Sequence, residues 1–285
     1  METKVKLSVV MATYNEERNI GRCLESVKDL ADEIIIVDGE SSDDTVKIAK
    51  KFKAKIILVE NNPTHFHAQK KLAIDSAKGD WILQLDADEV ITPDLSDEIK
   101  SLLSTWHLAP STPNGYWLPR KNYFLGRFLE KGGQYPDYTM RLYRNGKGNL
   151  PAQDVHEQAV VEGEVGYLKN PMLHYGTPDL ENYLVRNNKY TSLMAEQMAE
   201  NNLPLNIFSA LNHLVILPLK EFLWIYFRHR GYVDGFPGFV FALFSGLRFA
   251  IAYIKYWQHK CYPENTSPLP SPKLGEGDPR QWRER

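Results

Sequence analysis

The sequence predicts an α/β fold, a mostly parallel sheet with helices on both faces, followed by amphipathic and hydrophobic C-terminal helices. Three observations predict it. Short apolar runs rich in β-branched residues alternate with helical patterns through residues 7–85, as expected of strands joined by crossover helices. Three of the four runs end in small or acidic polar residues. Past residue 200 the composition shifts to long apolar stretches with scattered charges.

Each element follows from its local pattern. Residues 7–11 form an apolar run, and 15–29 read as a helix with Ile20, Leu24 and Val27 on one face. Residues 34–37 are the second strand, and Ser42-Asp43-Asp44 caps a helix carrying Val46, Ile48, Ala49 and Phe52. Residues 56–59, 66–77 and 81–85 read as strand, helix and strand. Thr92-Pro93 supplies an N-cap and first helical residue. Residues 183–199 read as a helix, with Tyr190, Leu193, Met194 and Met198 on its packing face. The organisation expected is a nucleotide-binding domain over 1–200, a membrane-associating helical region over 201–260 and a disordered, Pro-rich tail over 261–285.

The 285 residues suffice for a large core, and a net charge of -2 gives no basic footprint for nucleic acid. Cys23 and Cys261 are far apart and offer neither a disulfide framework nor zinc spacing. Both fit a reducing, cytoplasmic setting. The N-terminus enters a strand-like run at once, without the pattern of a secretory signal.

In parallel α/β sheets, ligands bind outside the carboxyl ends of the strands. There the chain places Thr13-Tyr14-Asn15-Glu16, Asp38-Gly39-Glu40-Ser41 and Asp86-Ala87-Asp88. Glycine-rich phosphate loops are absent: no Gly-x-Gly-x-x-Gly follows the first strand, and no Gly-Lys-Ser/Thr occurs. Phosphate must then be held by side chains and a metal. Asp86 and Asp88, on one face of an extended chain, suit Mg²⁺ or Mn²⁺ shared with a polyphosphate. The plain alternative is a solvated turn entering a helix.

Val9-Val10-Met11-Ala12-Thr13-Tyr14-Asn15-Glu16-Glu17, Ile36-Val37-Asp38-Gly39-Glu40-Ser41-Ser42-Asp43-Asp44-Thr45, and Gly79-Asp80-Trp81 through Asp86-Ala87-Asp88-Glu89 together resemble the family 2 glycosyltransferases of the GT-A fold. This resemblance covers residues 5–100. Gly132-Gly133-Gln134-Tyr135-Pro136-Asp137, Met140-Arg141-Leu142-Tyr143-Arg144, Val155-His156-Glu157 and Leu173-His174-Tyr175 are similar to the lipopolysaccharide-core β-glucosyltransferase subgroup. The sequence departs from the family pattern at Lys70-Lys71, where a lysine either meets diphosphate or lies on a solvated face.

The resemblance implies transfer of a hexose such as glucose from a UDP-sugar to an acceptor hydroxyl on a lipid-linked glycan, with inversion. It implies donor contacts from Thr13, Tyr14, Asn15, Glu16, Asp38, Lys70, Asp86, Ala87, Asp88 and Arg141, with Asp88 on the metal. Three carboxylates compete for the base: Asp137, Glu157 and Asp154. His156 and His174 are candidates to complete the metal shell. Arg141 and Arg144 either reach the diphosphate or line a solvated strand face, and Trp117 and Tyr123 either stack on sugar or are core.

The C-terminal region concerns location. Residues 201–260 hold six Lys or Arg against two acids, and neither apolar stretch is a clean membrane span. Charges and aromatic residues together suit helices lying in the interface of an anionic leaflet, at the cytoplasmic face of the membrane. A packed helical hairpin and a homo-oligomer interface are the alternatives. For function, transfer to polyprenyl phosphate, a sugar nucleotidyltransferase and a non-enzymatic membrane adaptor stay open. The nucleotidyltransferase would carry a Gly-rich basic first loop where this chain has Ala12-Thr13-Tyr14-Asn15.

Overall fold

The computed structural model describes residues 6–61, 66–105, 112–150, 158–177 and 179–263. The chain divides into two compact units, residues 1–121 with 136–176, and residues 122–135 with 177–285. The second unit includes the helix over 180–200, which the sequence reading grouped with residues 1–200. Asp154, His156, Glu157 and the tail beyond residue 263 lie outside the described residues.

Four strands, β1 (Leu7–Thr13), β2 (Glu33–Asp38), β3 (Lys55–Leu58) and β4 (Trp81–Gln84), lie parallel in the order β3-β2-β1-β4. Between them run α1 (Ile20–Val27), α2 (Thr45–Lys51) and α3 (Phe66–Asp75). Alternation along β1 covers both faces. Leu7, Val9 and Met11 join Ile20, Leu24 and Val27 of α1 in one core, whereas Val10 joins Ile35, Ala73 and Ile74 in another.

After the short β5 (Glu89–Ile91) comes α4 (Pro93–Thr105). Thr92 Oγ1 accepts the Leu95 N–H at 3.2 Å, the capping bond expected of Thr92-Pro93. The sheet then becomes mixed. β6 (Gly115–Phe124), paired at its end with β7 (Arg127–Phe128), runs antiparallel to β8 (Asp137–Arg144), and β8 runs antiparallel to β4. Short strands β9 (Gly148–Asn149) and β10 (Val160–Val161) pair with each other. β11 (Val165–Tyr167) lies parallel to β6, and β12 (Met172–Thr177) is antiparallel to β5.

Two local expectations are corrected. The first helix begins at Ile20 rather than residue 15. Asn15 takes a left-handed φ of 55° there, tolerable for Asn, so the segment before it serves as loop. The fourth strand stops at Gln84, and the Glu89 N–H donates to the Asp86 carbonyl at 3.0 Å. Asp86 and Asp88 therefore stand on a tight turn, not on alternate positions of an extended strand.

In the second unit, α5 (Leu180–Glu200) is capped by Asp179, whose side chain accepts the Asn182 N–H at 2.8 Å. Then follow α6 (Ile207–Leu211), a π-helical segment over Asn212–Ile216, α7 (Leu217–Leu223), a second π segment over Trp224–Arg228, and α8 (Gly235–Cys261). Ile207–Arg228 and Gly231–Cys261 are long and apolar enough to cross a membrane by length and composition, with mean hydropathies of 1.2 and 1.6.

Lys255 of α8 donates to the Asn188 carbonyl and to Thr191 Oγ1 of α5, at 2.7 and 2.8 Å. Asp234, buried ahead of α8, accepts the Glu130 and Lys131 N–H groups at 3.0 and 2.8 Å and pairs with Arg127 at 3.2 Å. Asp234→Ala leaves two backbone donors and Arg127 without their buried acceptor. It is expected to destabilise the protein by about 3 kcal/mol, read as a lower midpoint in thermal unfolding.

Candidate active site

The site lies in the first unit, where the ends of β1, β2 and β4 meet residues of β8 and β12. Its first corner is a pair of interlocked loops. Asn15 N–H donates to Ser41 Oγ at 2.8 Å, and Asn15 Oδ1 accepts the Ser42 N–H at 2.9 Å. Glu16 N–H donates to Thr45 Oγ1 at 2.7 Å, and Glu17 N–H to Asp43 at 3.0 Å. Asp38 is the pin beneath them. It is 0 % exposed and accepts Thr13 Oγ1–H, Ser41 N–H and Ser41 Oγ–H, each at 2.7 Å. Tyr14 and Asn15 are among the exposed residues of this corner.

The second corner is the Asp86–Asp88 turn. Lys70 of α3 donates to Asp86 Oδ1, and Arg141 Nη2 of β8 donates to Asp86 Oδ2 at 2.5 Å. Burial opposes ionisation of Asp86, but Arg141 and Lys70 outweigh it and hold its carboxyl far below the usual carboxylate range. Lys71, by contrast, turns outward to Asp75.

Asp88 has a different environment. Its Oδ2 lies 3.4 Å from His174 Nε2, and its carbonyl accepts the Tyr175 N–H at 2.9 Å. Burial raises the Asp88 carboxyl, and the His174 hydrogen bond more than offsets this, so it too is lowered. The Tyr175 ring is covered by the Arg22 guanidinium, 3.5 Å from its centroid. A Cβ at residue 176 would press into the His174 ring and lie 3.2 Å from Asp88 Oδ2, so Gly176 keeps this approach open. Glu16 faces the same rim. Burial and the nearby charges of Asp88, Asp86 and Asp43 raise its carboxyl despite a hydrogen bond from Asn19.

Behind the turn sits a buried ionic network that the sequence reading missed. Glu89 is 0 % exposed. Its Oε2 accepts the Asp86 N–H at 3.0 Å, and its Oε1 accepts Arg141 Nη2 at 2.8 Å. Arg120 of β6 lies 3.5 Å from Glu89 and donates through Nη2 and Nε to Asp137 Oδ2 at 2.6 and 3.0 Å. Carboxylates and guanidiniums thus alternate from Asp86 through Arg141, Glu89 and Arg120 to Asp137.

The sequence signal for Glu89 was a single acid entering the short apolar strand Glu89–Ile91. Arg120 gave none, since its partner lies 17 residues away.

Of the residues expected at a site, Lys70, Asp86, Asp88, Arg141 and His174 come together on this turn, with Asp137 one Arg behind it. Arg141 is buried among carboxylates, which removes the solvated-face alternative for it. Trp117 stacks on Tyr167 with centroids 6.4 Å apart, and Tyr123 meets Phe128 edge-on at 5.2 Å. Ala87 is buried within the turn.

Among the described residues, no group of three or more His, Cys, Asp or Glu is placed to hold a metal ion. Asp86, Asp88 and His174, three of the candidate ligands, lie at this turn without forming such a group, and His156, the other candidate to complete the shell, lies outside the described residues. A hard divalent cation that takes one protein carboxylate together with water and phosphate fits Asp88 nonetheless.

Residues 8–152 match the glycosyl transferase family 2. The lipopolysaccharide core biosynthesis glycosyltransferase LpsC of Rhizobium meliloti (strain 1021) is 29 % identical over 263 residues, covering 90 % of this chain and 94 % of that protein. The uncharacterized glycosyltransferase RP128 of Rickettsia prowazekii (strain Madrid E) is 30 % identical over 251 residues, 82 % of this chain and 81 % of its own length. Among solved structures, S. aureus TarS 1-349 in complex with UDP-GlcNAc aligns with a TM-score of 0.47 and 16 % identity, covering 92 % of this chain and 93 % of that one. With the family matched across the parallel sheet, its loops and the Asp86–Asp88 turn, the chain belongs to glycosyl transferase family 2 and is a glycosyltransferase.

Proposed function

We propose that the enzyme moves a hexose from a UDP-sugar to a hydroxyl of a lipid-linked glycan such as lipopolysaccharide core, with a divalent cation and with inversion. The observation that carries this reading is the division of charge on the turn. Asp86 is held by Lys70 and Arg141, whereas Asp88 is presented beside His174. The relationship to a lipopolysaccharide core glycosyltransferase supports the acceptor class.

In this reading the Thr13–Glu16 loop and the Asp38 corner receive the base and ribose, with Tyr14 and Asn15 as the exposed contacts. Asp88 holds Mg²⁺ or Mn²⁺, oriented by His174. When bound, the cation neutralises charge developing on the departing diphosphate. Lys70 and Arg141, paired with Asp86 at rest, add fixed positive charge to the same corner. Asp137 takes the proton of the acceptor hydroxyl as the acceptor oxygen bonds to the anomeric carbon and the bond to diphosphate breaks, releasing UDP. Arg120 orients Asp137 for that step. Residues 201–260 bring the enzyme to the cytoplasmic membrane surface where such an acceptor resides.

The Arg120–Asp137 pair favours a second reading, since a carboxylate bonded to guanidinium is a weaker base. A polyprenyl phosphate acceptor is already an anion and needs no strong base.

The test is a thermal-shift screen of UDP, GDP and dTDP, each with and without Mn²⁺, followed by turnover of Asp137→Asn. Stabilisation by UDP with Mn²⁺ and a loss of turnover of about a hundredfold or more are expected. Stabilisation by GDP alone overturns the donor, and full activity of both Asp137→Asn and a parallel Glu157→Gln variant selects the polyprenyl phosphate reading.

A further inference from the structure

The stretch Ile207–Arg228 carries Leu211, Val215, Leu219, Leu223 and Phe227 at an unbroken four-residue spacing, each 43–58 % exposed. On a regular α-helix each such step overshoots a full turn by about 40°, so five residues would smear around roughly 160° of surface. The two π segments, Asn212–Ile216 and Trp224–Arg228, prevent this, because their wider turns hold more residues. Pro218, which has no N–H to give the preceding turn, stands two residues beyond the first of them. Val215, Leu219, Leu223 and Phe227 accordingly line one shallow groove of about 570 Å³. The backbone is bent to keep a large apolar stripe together on the outside, where none of the described residues of this unit buries it.

Charge identifies what the stripe meets. The two acids between residues 207 and 261 are both consumed internally. Glu221 pairs with Arg248 at 2.7 Å, and Asp234 is held by Arg127 and backbone N–H groups. Lys220, Arg228 and Arg230 are exposed, and the first two line the groove itself. Arg228 also sits over the Trp224 ring, 5.8 Å from its centroid. An apolar stripe edged by cations and aromatic residues, with every nearby acid neutralised, complements an anionic lipid surface.

The packing argues for a helix lying along that surface rather than crossing it. α8, packed behind it through the close approach of Gly246 to the Pro218 carbonyl, is itself bound to the polar α5 by Lys255. A crossing helix pair would carry α5 into hydrocarbon.

We propose that the face of residues 207–228 defined by Leu211, Val215, Leu219, Leu223 and Phe227 is an in-plane membrane-docking face, with Lys220 and Arg228 meeting anionic lipid headgroups. The proposal rests on the membrane-surface reading of residues 201–260 and specifies the face that performs it.

The test is co-sedimentation of the full chain with vesicles of phosphatidylcholine, and of phosphatidylcholine with one quarter phosphatidylglycerol. Three variants accompany the parent: Val215→Gln/Leu219→Gln/Leu223→Gln, Lys220→Gln/Arg228→Gln, and Val185→Gln, an exposed control on α5. The parent and the control are expected to bind the anionic vesicles. The triple variant should bind at least tenfold more weakly, and the cation variant about thirtyfold more weakly, as it loses the preference for phosphatidylglycerol.

Parent-like binding by the triple variant overturns the face and leaves the membrane reading standing. Failure of the parent on both vesicles overturns both. A dimer in light scattering that the triple variant turns into a monomer, without vesicle binding, assigns the stripe to a second copy and also overturns the proposal. UDP stabilisation measured on the same samples reports the glycosyl-transfer site independently.

Discussion

Asp88→Asn is expected to lower turnover about a thousandfold while leaving the fold intact. Of the two turn carboxylates, Asp88 is the one whose partner is an imidazole rather than Lys70 or Arg141. The amide preserves shape and the contact with His174 but removes the negative charge that the proposed cation site requires. Loss of metal assistance at a leaving diphosphate removes several kcal/mol of transition-state stabilisation, and each 1.36 kcal/mol is about tenfold in rate. Steady-state turnover and a Mn²⁺ titration in the presence of UDP are the measurements. Unaltered Mn²⁺ affinity in an active Asp88→Asn enzyme moves the metal away from this residue.

Glu89→Gln is expected to destabilise the protein by about 3–5 kcal/mol, because it strands part of the charge of Arg141 and Arg120 in a buried place. The midpoint of thermal unfolding should fall by roughly 10 °C. Glu89 is fully buried and bonds the Asp86 N–H as well as Arg141, so the turn itself also loosens. Breaking one partner of a buried pair costs more than replacing both with apolar groups of similar volume. Glu89→Leu/Arg141→Met should therefore recover part of the stability while remaining inactive, since Asp86 then keeps only Lys70 as its partner. Denaturant unfolding of the single and double variants checks this, and a double variant no more stable than Glu89→Gln overturns the account.

The same network sets an acid limit. Asp86 has a lowered carboxyl in the folded protein, so its contribution is fully present above the ordinary carboxylate range near pH 4. It is lost as pH falls through the depressed value.

The parallel half of the fold was legible because its signals are local. β1 to β4 show up as apolar runs of strand length, and the polar residues at their ends identify the rim. The antiparallel strands β6, β8 and β12 carry pairings between distant residues, which periodicity does not report. The candidate site divides the same way. Asp38, Asp86 and Asp88 stand at strand ends and were readable.

Glu89, Arg120 and the Arg22–Tyr175 stack were not readable, because each acquires its role only from a partner brought in by the sheet. The internal neutralisation of Glu221 by Arg248 was hidden too, since a residue count records both as charges. Asp38 shows the converse limit. Its position was legible, but its engagement by Thr13 and Ser41 depends on two loops meeting.

Those interlocked loops also bear on the speed of donor capture. Side chains of Asn15, Thr45 and Asp43 already satisfy backbone N–H groups across the gap. The corner proposed for the nucleotide is thus held by the chain's own hydrogen bonds, so little ordering entropy would be charged to a nucleotide at this end. Association at this corner should follow a single concentration-dependent phase without a slow isomerisation. The amides of Glu16 and Ser42 should resist hydrogen exchange in the free enzyme almost as well as in its nucleotide complex.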